Sequence, residues 1–148
     1  MKKLAMVLTA TIMLFTSTAF AKDGDNVSAK VKAAFQTNFA SASQVSWKKS
    51  SDFYFASFTL NQQTVQAAFN EEGELVGTSR KIAWAQLPLN LSVELNKKYG
   101  DYTLPEQVLE IMYEGQTSYQ VVVENSKQSL SLKCYDTGEI KVQKKTKK

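Results

Sequence analysis

The sequence has no histidine, one cysteine, two prolines and six glycines among its 148 residues. The absence of histidine excludes serine or cysteine catalysis through an imidazole base, and it removes the usual zinc ligands. Because Cys134 has no second cysteine to pair with, an intramolecular disulfide bond is impossible; a buried thiol is expected, with a reactive thiol as the alternative. No glycine-rich phosphate loop is present. We therefore expect no catalytic residue, no cofactor and no metal site.

Two kinds of catalysis need no histidine. Ser50 or Ser51 beside lysines could form a serine–lysine dyad, but both serines fall in an expected hairpin loop. Paired carboxylates or a calcium site are the other alternative. The carboxylates flank two glycine turns without the alternating oxygen ligands of a calcium loop, so solvated turn residues are favoured. These carboxylates are Glu71, Glu72, Glu74, Asp136 and Glu139.

The N-terminal residues have the pattern of a secretory signal peptide. Lys2 and Lys3 precede an uncharged apolar run, and small residues follow it up to Ala21. A membrane anchor is the alternative, but a spanning helix needs about 20 apolar residues, and Lys22 follows the run at once. No cysteine behind the run offers a lipid attachment site. We expect cleavage of residues 1–21 and a periplasmic or secreted chain without a transmembrane segment.

Positive charge is concentrated at the two ends of the sequence. The whole chain carries 18 basic and 14 acidic residues, whereas residues 22–140 carry 11 basic and 14 acidic residues. Five lysines stand in the last eight residues, so residues 144–148 are predicted to form a solvated basic tail. Contact of this tail with anionic lipid or cell-wall polymer is the alternative. Nucleic-acid binding is not predicted, because no aromatic residues alternate with the lysines.

The sequence repeats itself with an offset of about 65 residues. In the strand-rich regions the offset is 65, in the helical regions it is 64, and the difference falls in the loop between them. Both halves therefore predict the same local structures in the same order. The matching pairs are Val27 with Leu91, Val31 with Leu95, Phe35 with Tyr99, Tyr54 with Tyr119, Phe58 with Val123, Val65 with Leu130, Ala67 with Leu132, Gly73 with Gly138, Glu74 with Glu139 and Leu75 with Ile140.

Each half predicts one helix followed by antiparallel strands. Apolar residues at helical spacing, such as Val27, Val31 and Phe35, predict a first helix capped by Asp25 or Asn26. The second helix is bounded by Pro88 and Gly100.

Period-two alternation around Tyr54–Leu60, Val65–Phe69, Tyr119–Val123 and Leu130–Cys134 predicts strands, preceded by strands near Val45–Trp47 and Val108–Tyr113. The predicted fold class is α+β: two repeats of about one helix and four strands that share one core, with one continuous curved sheet as one arrangement. The predicted segments are 22–80 for repeat 1, 81–87 for a connector that packs on the body, and 88–143 for repeat 2.

An ordered set of motifs carries a family resemblance. The set is Val45-x-Trp47, Tyr54-x-Ala56-x-Phe58, Ala67-x-Phe69, Gly73-Glu74-Leu75 and Leu87-Pro88. In this order, and over residues 26–143, the chain resembles the β-lactamase-inhibitor-like, PepSY-like family of small exported bacterial proteins. The resemblance implies helices packed on antiparallel sheet, a cell-envelope location and a binding or inhibitory role. The second half departs from the pattern, because Met112 replaces Trp47 and Cys134 replaces Phe69.

The strand faces opposite the apolar set offer a candidate protein-binding surface. Phe53, Phe55, Val122 and Tyr135 lie there among polar residues, and aromatic side chains are common in binding surfaces. The alternative is that a loop or the segment around Trp84 covers them, and Trp47 is expected in the core. We expect the partner to be another envelope or secreted protein. A small ligand or cell-wall polymer bound between the repeats, as in an envelope sensor or stress protein, is the alternative function.

Overall fold

The structure is a computed structural model that describes residues 26–148. The predicted signal peptide, residues 1–21, lies outside the described residues. The elements in chain order are α1 (Ala29–Asn38), β1 (Ser43–Ser50), β2 (Phe53–Leu60), β3 (Gln63–Asn70), β4 (Leu75–Ala83), a 3-10 turn (Trp84–Gln86), α2 (Leu89–Tyr99), β5 (Gln107–Tyr113), β6 (Gln116–Glu124), β7 (Gln128–Tyr135) and β8 (Ile140–Lys147).

All eight strands form one antiparallel sheet, and their order in the sheet is their order in the chain. The α+β fold predicted from the sequence is confirmed. Six of the seven neighbouring strand pairs are joined by short turns, where residues such as Asn61 (φ 49°), Gly73 (φ 78°) and Gly138 (φ 90°) adopt the left-handed conformation. The seventh pair, β4 with β5, is joined through α2.

The boundaries of the helices follow from local residues. The Ser28 hydroxyl accepts a hydrogen bond from the Val31 amide at 3.3 Å and caps α1. The cap predicted at Asp25 or Asn26 is wrong, because the chain is still extended at Ser28 (ψ 148°) and the helix begins only after it. In α2, Pro88 precedes the first turn and Gly100 follows the last, as predicted.

Both helices pack on the same face of the sheet. Directly opposed residues of antiparallel strands point to the same side. Val65, in the cluster under α1, is opposite Arg80; Arg80 is opposite Glu110; and Glu110 is opposite Tyr119, in the cluster under α2. We call this side of the sheet the helix face and the other side the open face.

Buried residues form two clusters, one under each helix. The cluster under α1 contains Val27, Val31, Phe35, Trp47, Tyr54, Ala56, Phe58, Val65, Ala67 and Phe69. The cluster under α2 contains Ile82, Leu87, Leu91, Leu95, Val108, Tyr119, Val121, Val123, Leu130, Leu132 and Cys134. The expectation of one shared core is not confirmed. Between the clusters the helix face carries polar residues, and Arg80 Nε lies 2.6 Å from Glu110 Oε2.

The strand registers of the two halves correspond at the offset of 65 residues. Tyr54 is opposite Phe69, and Tyr119 is opposite Cys134. Both tyrosines are 6% exposed. Trp47 is also buried, as predicted, and so is the Cys134 thiol. The two halves therefore place matching residues in matching positions of the sheet.

The C-terminal lysines belong to the sheet. Lys144 is opposite Ser131 and Lys147 is opposite Gln128, so the predicted tail, residues 144–148, is part of β8 up to Lys147. The prediction failed because four lysines in eight residues have low β-propensity, whereas β7 offers its hydrogen-bonding edge. At the predicted connector, β4 extends to Ala83 and Leu87 is buried.

Large-to-small substitutions in either cluster should destabilise the fold. We expect Phe58→Ala, under α1, to lower the free energy of unfolding by about 3–5 kcal/mol and Leu132→Ala, under α2, by about 2–5 kcal/mol, because each leaves a cavity. Leu89→Ala is the matched control, since Leu89 is 79% exposed. Urea denaturation of the three variants measures the effect, and equal losses for Leu89 and Leu132 would contradict the packing described.

Removal of β8 should expose a new edge. Truncation after Glu139 uncovers the hydrogen-bonding edge of β7, and we expect lower stability and concentration-dependent association. The control is the full chain with Lys144, Lys145 and Lys147 changed to glutamine, which keeps the backbone pairing but loses charge. Sedimentation velocity measures association. A truncated chain that stays monomeric and fully stable would show that β8 contributes nothing to the sheet.

Candidate binding surface on the open face

The open face is free of the helices and of the other segments that pack on the sheet within residues 26–148. Trp84, Tyr99, Tyr102 and Leu104 all pack against the cluster under α2, on the helix face. Phe39 and Ala42 pack against the cluster under α1, also on the helix face. The open face is therefore one continuous surface across all eight strands.

The four residues predicted to bind a partner all lie on this face. Phe53 and Phe55 of β2 and Tyr135 of β7 are partly exposed, and Val122 of β6 is 48% exposed. The alternative, in which the Trp84 segment covers these residues, does not hold, because Trp84 packs on the opposite side of the sheet. Phe55 and Tyr135 are five strands apart, about 24 Å along the sheet. The four residues thus form two groups, one in each half.

Residues of β5 that sequence reasoning missed lie between the two groups. Leu109, Ile111 and Tyr113 point to the open face and are partly buried. Apolar residues stand on both sides of β5, so its alternation did not indicate which side faces the helices. A short, nearly continuous apolar run is consistent with a strand that carries apolar side chains on both sides, and it could have identified these residues.

A strip of small residues separates β2 from β5. Ala68 of β3 is opposite Gly77 of β4, and Gly77 is opposite Tyr113 of β5. A Cβ at Gly77 would lie 2.9 Å from the carbonyl oxygen of Met112 and 3.4 Å from Cδ2 of Tyr113. The strands therefore approach closely at Gly77, beside the aromatic ring. Phe55 and Tyr113 stand on the two sides of this strip.

Polar side chains of the open face bond to one another. Gln66 Nε2 donates to Ser57 Oγ at 3.0 Å, and Gln120 Nε2 donates to Ser131 Oγ at 3.3 Å. Ser57 and Ser118 are only 8% and 6% exposed. Within residues 26–148, every buried side-chain nitrogen or oxygen has a hydrogen-bond partner. The surface is thus largely preorganised, which lowers the entropic cost of binding.

Lysines surround Tyr135. The ammonium of Lys133 lies 5.4 Å and that of Lys141 lies 5.3 Å from the centre of the Tyr135 ring, as in cation–π pairs. Lys141 also lies 3.0 Å from Glu139, and this hydrogen-bonded carboxylate raises the pKa of the lysine. The predicted contact residue Tyr135 therefore lies in a locally basic environment.

The described residues include few side chains placed for nucleophilic catalysis or metal binding. Burial raises the pKa of the Cys134 thiol to about 12, so the thiolate nucleophile is scarce near neutral pH. At the turns, Glu71 and Glu72 form ion pairs with Lys49 and Lys30. Residues 26–148 contain no group of three or more cysteine, aspartate or glutamate side chains placed to hold a metal ion. No helix among them is both long and apolar enough to cross a membrane.

The helix face has an uncovered region between the two clusters. Arg80 and Glu110 lie there with Thr78 and with Met112, which is 46% exposed. Glu110 and Arg80 are on neighbouring central strands, and their ion pair is the main polar contact of this region. It is the part of the structure that corresponds to a site between the repeats.

Comparison with solved structures identifies the fold. A β-lactamase-inhibitor-like (BLIP-like) protein from Bacteroides fragilis has a TM-score of 0.67 and 16% identity, over 81% of this chain and 85% of that chain. A DUF2874 family protein from Bacteroides ovatus has a TM-score of 0.71 and 19% identity, over 84% and 89%. A candidate periplasmic protein from Bacteroides eggerthii has a TM-score of 0.70 and 16% identity, over 82% and 88%.

The chain has the β-lactamase-inhibitor-like fold. The resemblance predicted from the sequence motifs is thereby confirmed at the level of the fold. No family model and no curated protein matches the chain in sequence. At identities of 16–19% the similarity concerns the arrangement of helices and strands alone.

Proposed function

We propose that this chain is an exported, non-catalytic protein that binds another envelope or secreted protein through its open face, and so inhibits or regulates it. The observation that carries this proposal is an entire face of an eight-stranded sheet that no described helix or loop covers, although Phe55, Ile111, Tyr113 and Tyr135 lie on it. Partly exposed aromatic residues on a rigid scaffold are typical of protein-binding surfaces.

Three further observations support the proposal. The sequence has no histidine, and the Cys134 thiol is buried and held in its neutral form. A structural neighbour is described as BLIP-like, and another is a candidate periplasmic protein. The predicted signal peptide, residues 1–21, agrees with export. The two half-surfaces around Phe55 and Tyr135, with β5 between them, can act on one partner.

Site-specific photo-crosslinking tests the proposal. p-Benzoylphenylalanine in place of Phe55 should form an adduct with one recurrent protein in cells that produce the chain naturally, and mass spectrometry identifies it. p-Benzoylphenylalanine in place of Leu89 is the control, because Leu89 belongs to α2, on the helix face, and is 79% exposed. Adducts of equal yield and identity from both positions would contradict binding through the open face.

Affinity for the identified protein then tests the residues. Phe53→Ser with Phe55→Ser should weaken binding by about tenfold or more, because buried aromatic contacts dominate interfaces, and should leave the unfolding transition in place. The control is Leu89→Ser, which should bind as the unaltered chain does. Undiminished affinity of the double variant, measured by calorimetry, would remove these phenylalanines from the site.

We infer a second candidate function from the uncovered region of the helix face. There the Arg80–Glu110 ion pair and Met112 could hold a small ligand or a polymer segment between the two helices. In that case a cell-wall or lipid component raises the melting temperature of the unaltered chain but not of Arg80→Gln. Binding of a protein at the open face predicts no such shift.

A further inference from the structure

Basic side chains of the strands outnumber carboxylates on the open face of the sheet. Five lysines of the strands point to the open face, whereas the only strand carboxylate there among the described residues is Glu124. Glu124 forms an ion pair with Lys148 at 2.8 Å. The five lysines are Lys48, Lys81, Lys133, Lys141 and Lys144. Residues 22–140 are acidic overall, so composition did not predict a basic face.

Three of these lysines lie in one row across the sheet. Lys81 of β4 is opposite Leu109, which is opposite Gln120, which is opposite Lys133, which is opposite Lys141 of β8. The side chains of such a row point to the same side. Lys81 and Lys133 are three strands apart, about 14 Å along the sheet. The row crosses five strands without a carboxylate.

Two lysines of this row have no carboxylate partner within the described residues. No aspartate or glutamate oxygen of residues 26–148 lies within 4.0 Å of the ammonium of Lys81 or Lys133. The ammonium of Lys133 lies 5.4 Å from the centre of the Tyr135 ring. Elsewhere, Lys30, Lys49 and Arg80 have carboxylates at 2.6–3.1 Å. Lys81 and Lys133 are thus two cations without a carboxylate partner on the face that no described helix covers.

Apolar side chains lie within and beside the row. Leu109 belongs to it, and Ile111, in the neighbouring row, lies opposite the nearly buried Ser118. A linear polyanion would gain little from these positions, since it carries charge along its whole length. A protein surface with an apolar projection among carboxylates matches both features, because interfaces combine an apolar centre with a charged rim.

We propose that the occupant of the open face is an acidic protein surface whose carboxylates pair with Lys81 and Lys133 and whose apolar residues contact Leu109 and Ile111. This inference rests on the proposed function and adds the chemistry of the partner. Opposite charges across such an interface accelerate association and select the partner. Salt should weaken binding, because the screening length falls from about 10 Å at 0.1 M to about 3 Å at 1 M ionic strength.

Zero-length crosslinking with a carbodiimide tests the proposal, because this reagent joins lysine amines to carboxylates in direct contact. With the protein trapped from position 55, we expect links from Lys81 and Lys133 to its aspartates or glutamates, identified by mass spectrometry. Lys81→Glu with Lys133→Glu should weaken binding by about tenfold or more. The control, Lys97→Glu with Lys98→Glu in α2, makes the same change of net charge and should leave affinity unchanged.

The outcomes separate this inference from the function on which it rests. A photo-adduct at position 55 without links from Lys81 or Lys133, and with binding that salt does not weaken, would overturn the acidic partner alone. No specific photo-adduct at position 55 would overturn the proposed function as well. Polyphosphate serves as a probe for the other occupant considered, a linear polyanion. Should it bind the unaltered chain at least as tightly as the trapped protein does, and lose this binding in Lys81→Glu with Lys133→Glu, the occupant is a polyanion and the inference is wrong.

Discussion

The pairing of β4 with β5 is the interaction on which the rest of the structure depends. It joins two halves whose other strand pairs are local hairpins, and it runs without a register shift from Gly77 opposite Tyr113 to Ala83 opposite Gln107. Because opposed residues share a side, this register places both helices on one face. The lack of a side chain at Gly77 also permits this pairing, since a Cβ there would lie 2.9 Å from the carbonyl oxygen of Met112.

The same pairing explains why the two clusters of buried residues stay separate. On the helix face β4 and β5 bring together Arg80 and Glu110, whose side chains are 47% and 23% exposed. Such a solvated ion pair does not extend an apolar core. On the open face the same strands contribute Gly77, Ile111 and Tyr113. The centre of the sheet therefore carries an ion pair on the helix face, between the two clusters, and the larger apolar side chains of Ile111 and Tyr113 on the open face.

Position in the sheet distinguishes halves that otherwise correspond. β1 and β8 are edge strands, and their open-face side chains are mainly serine, threonine and lysine, which discourage association of one sheet with another. β5 corresponds to β1 at the offset of 65, yet it is central and carries Leu109, Ile111 and Tyr113. The lysines of β8 thus protect this edge against pairing with another sheet. Lys141 and Lys133 also place positive charge beside the Tyr135 ring.

The sequence by itself determined the local structures: helical spacing around Val31, alternation around Tyr54 and Tyr119, and left-handed turns at Gly73 and Gly138. These depend on neighbours within a few residues, and so does the placement of Phe55 and Tyr135 on the side opposite the buried residues.

Only the tertiary structure decided which surfaces are continuous. β4 and β5 are separated in the sequence by α2, so no local pattern encodes the register of their pairing. This register determines the position of Ile111, the row from Lys81 to Lys141 and the division of the core into two clusters. The strand at Lys144–Lys147 was likewise not predictable, because lysines form a strand only where a neighbouring edge supplies the hydrogen bonds.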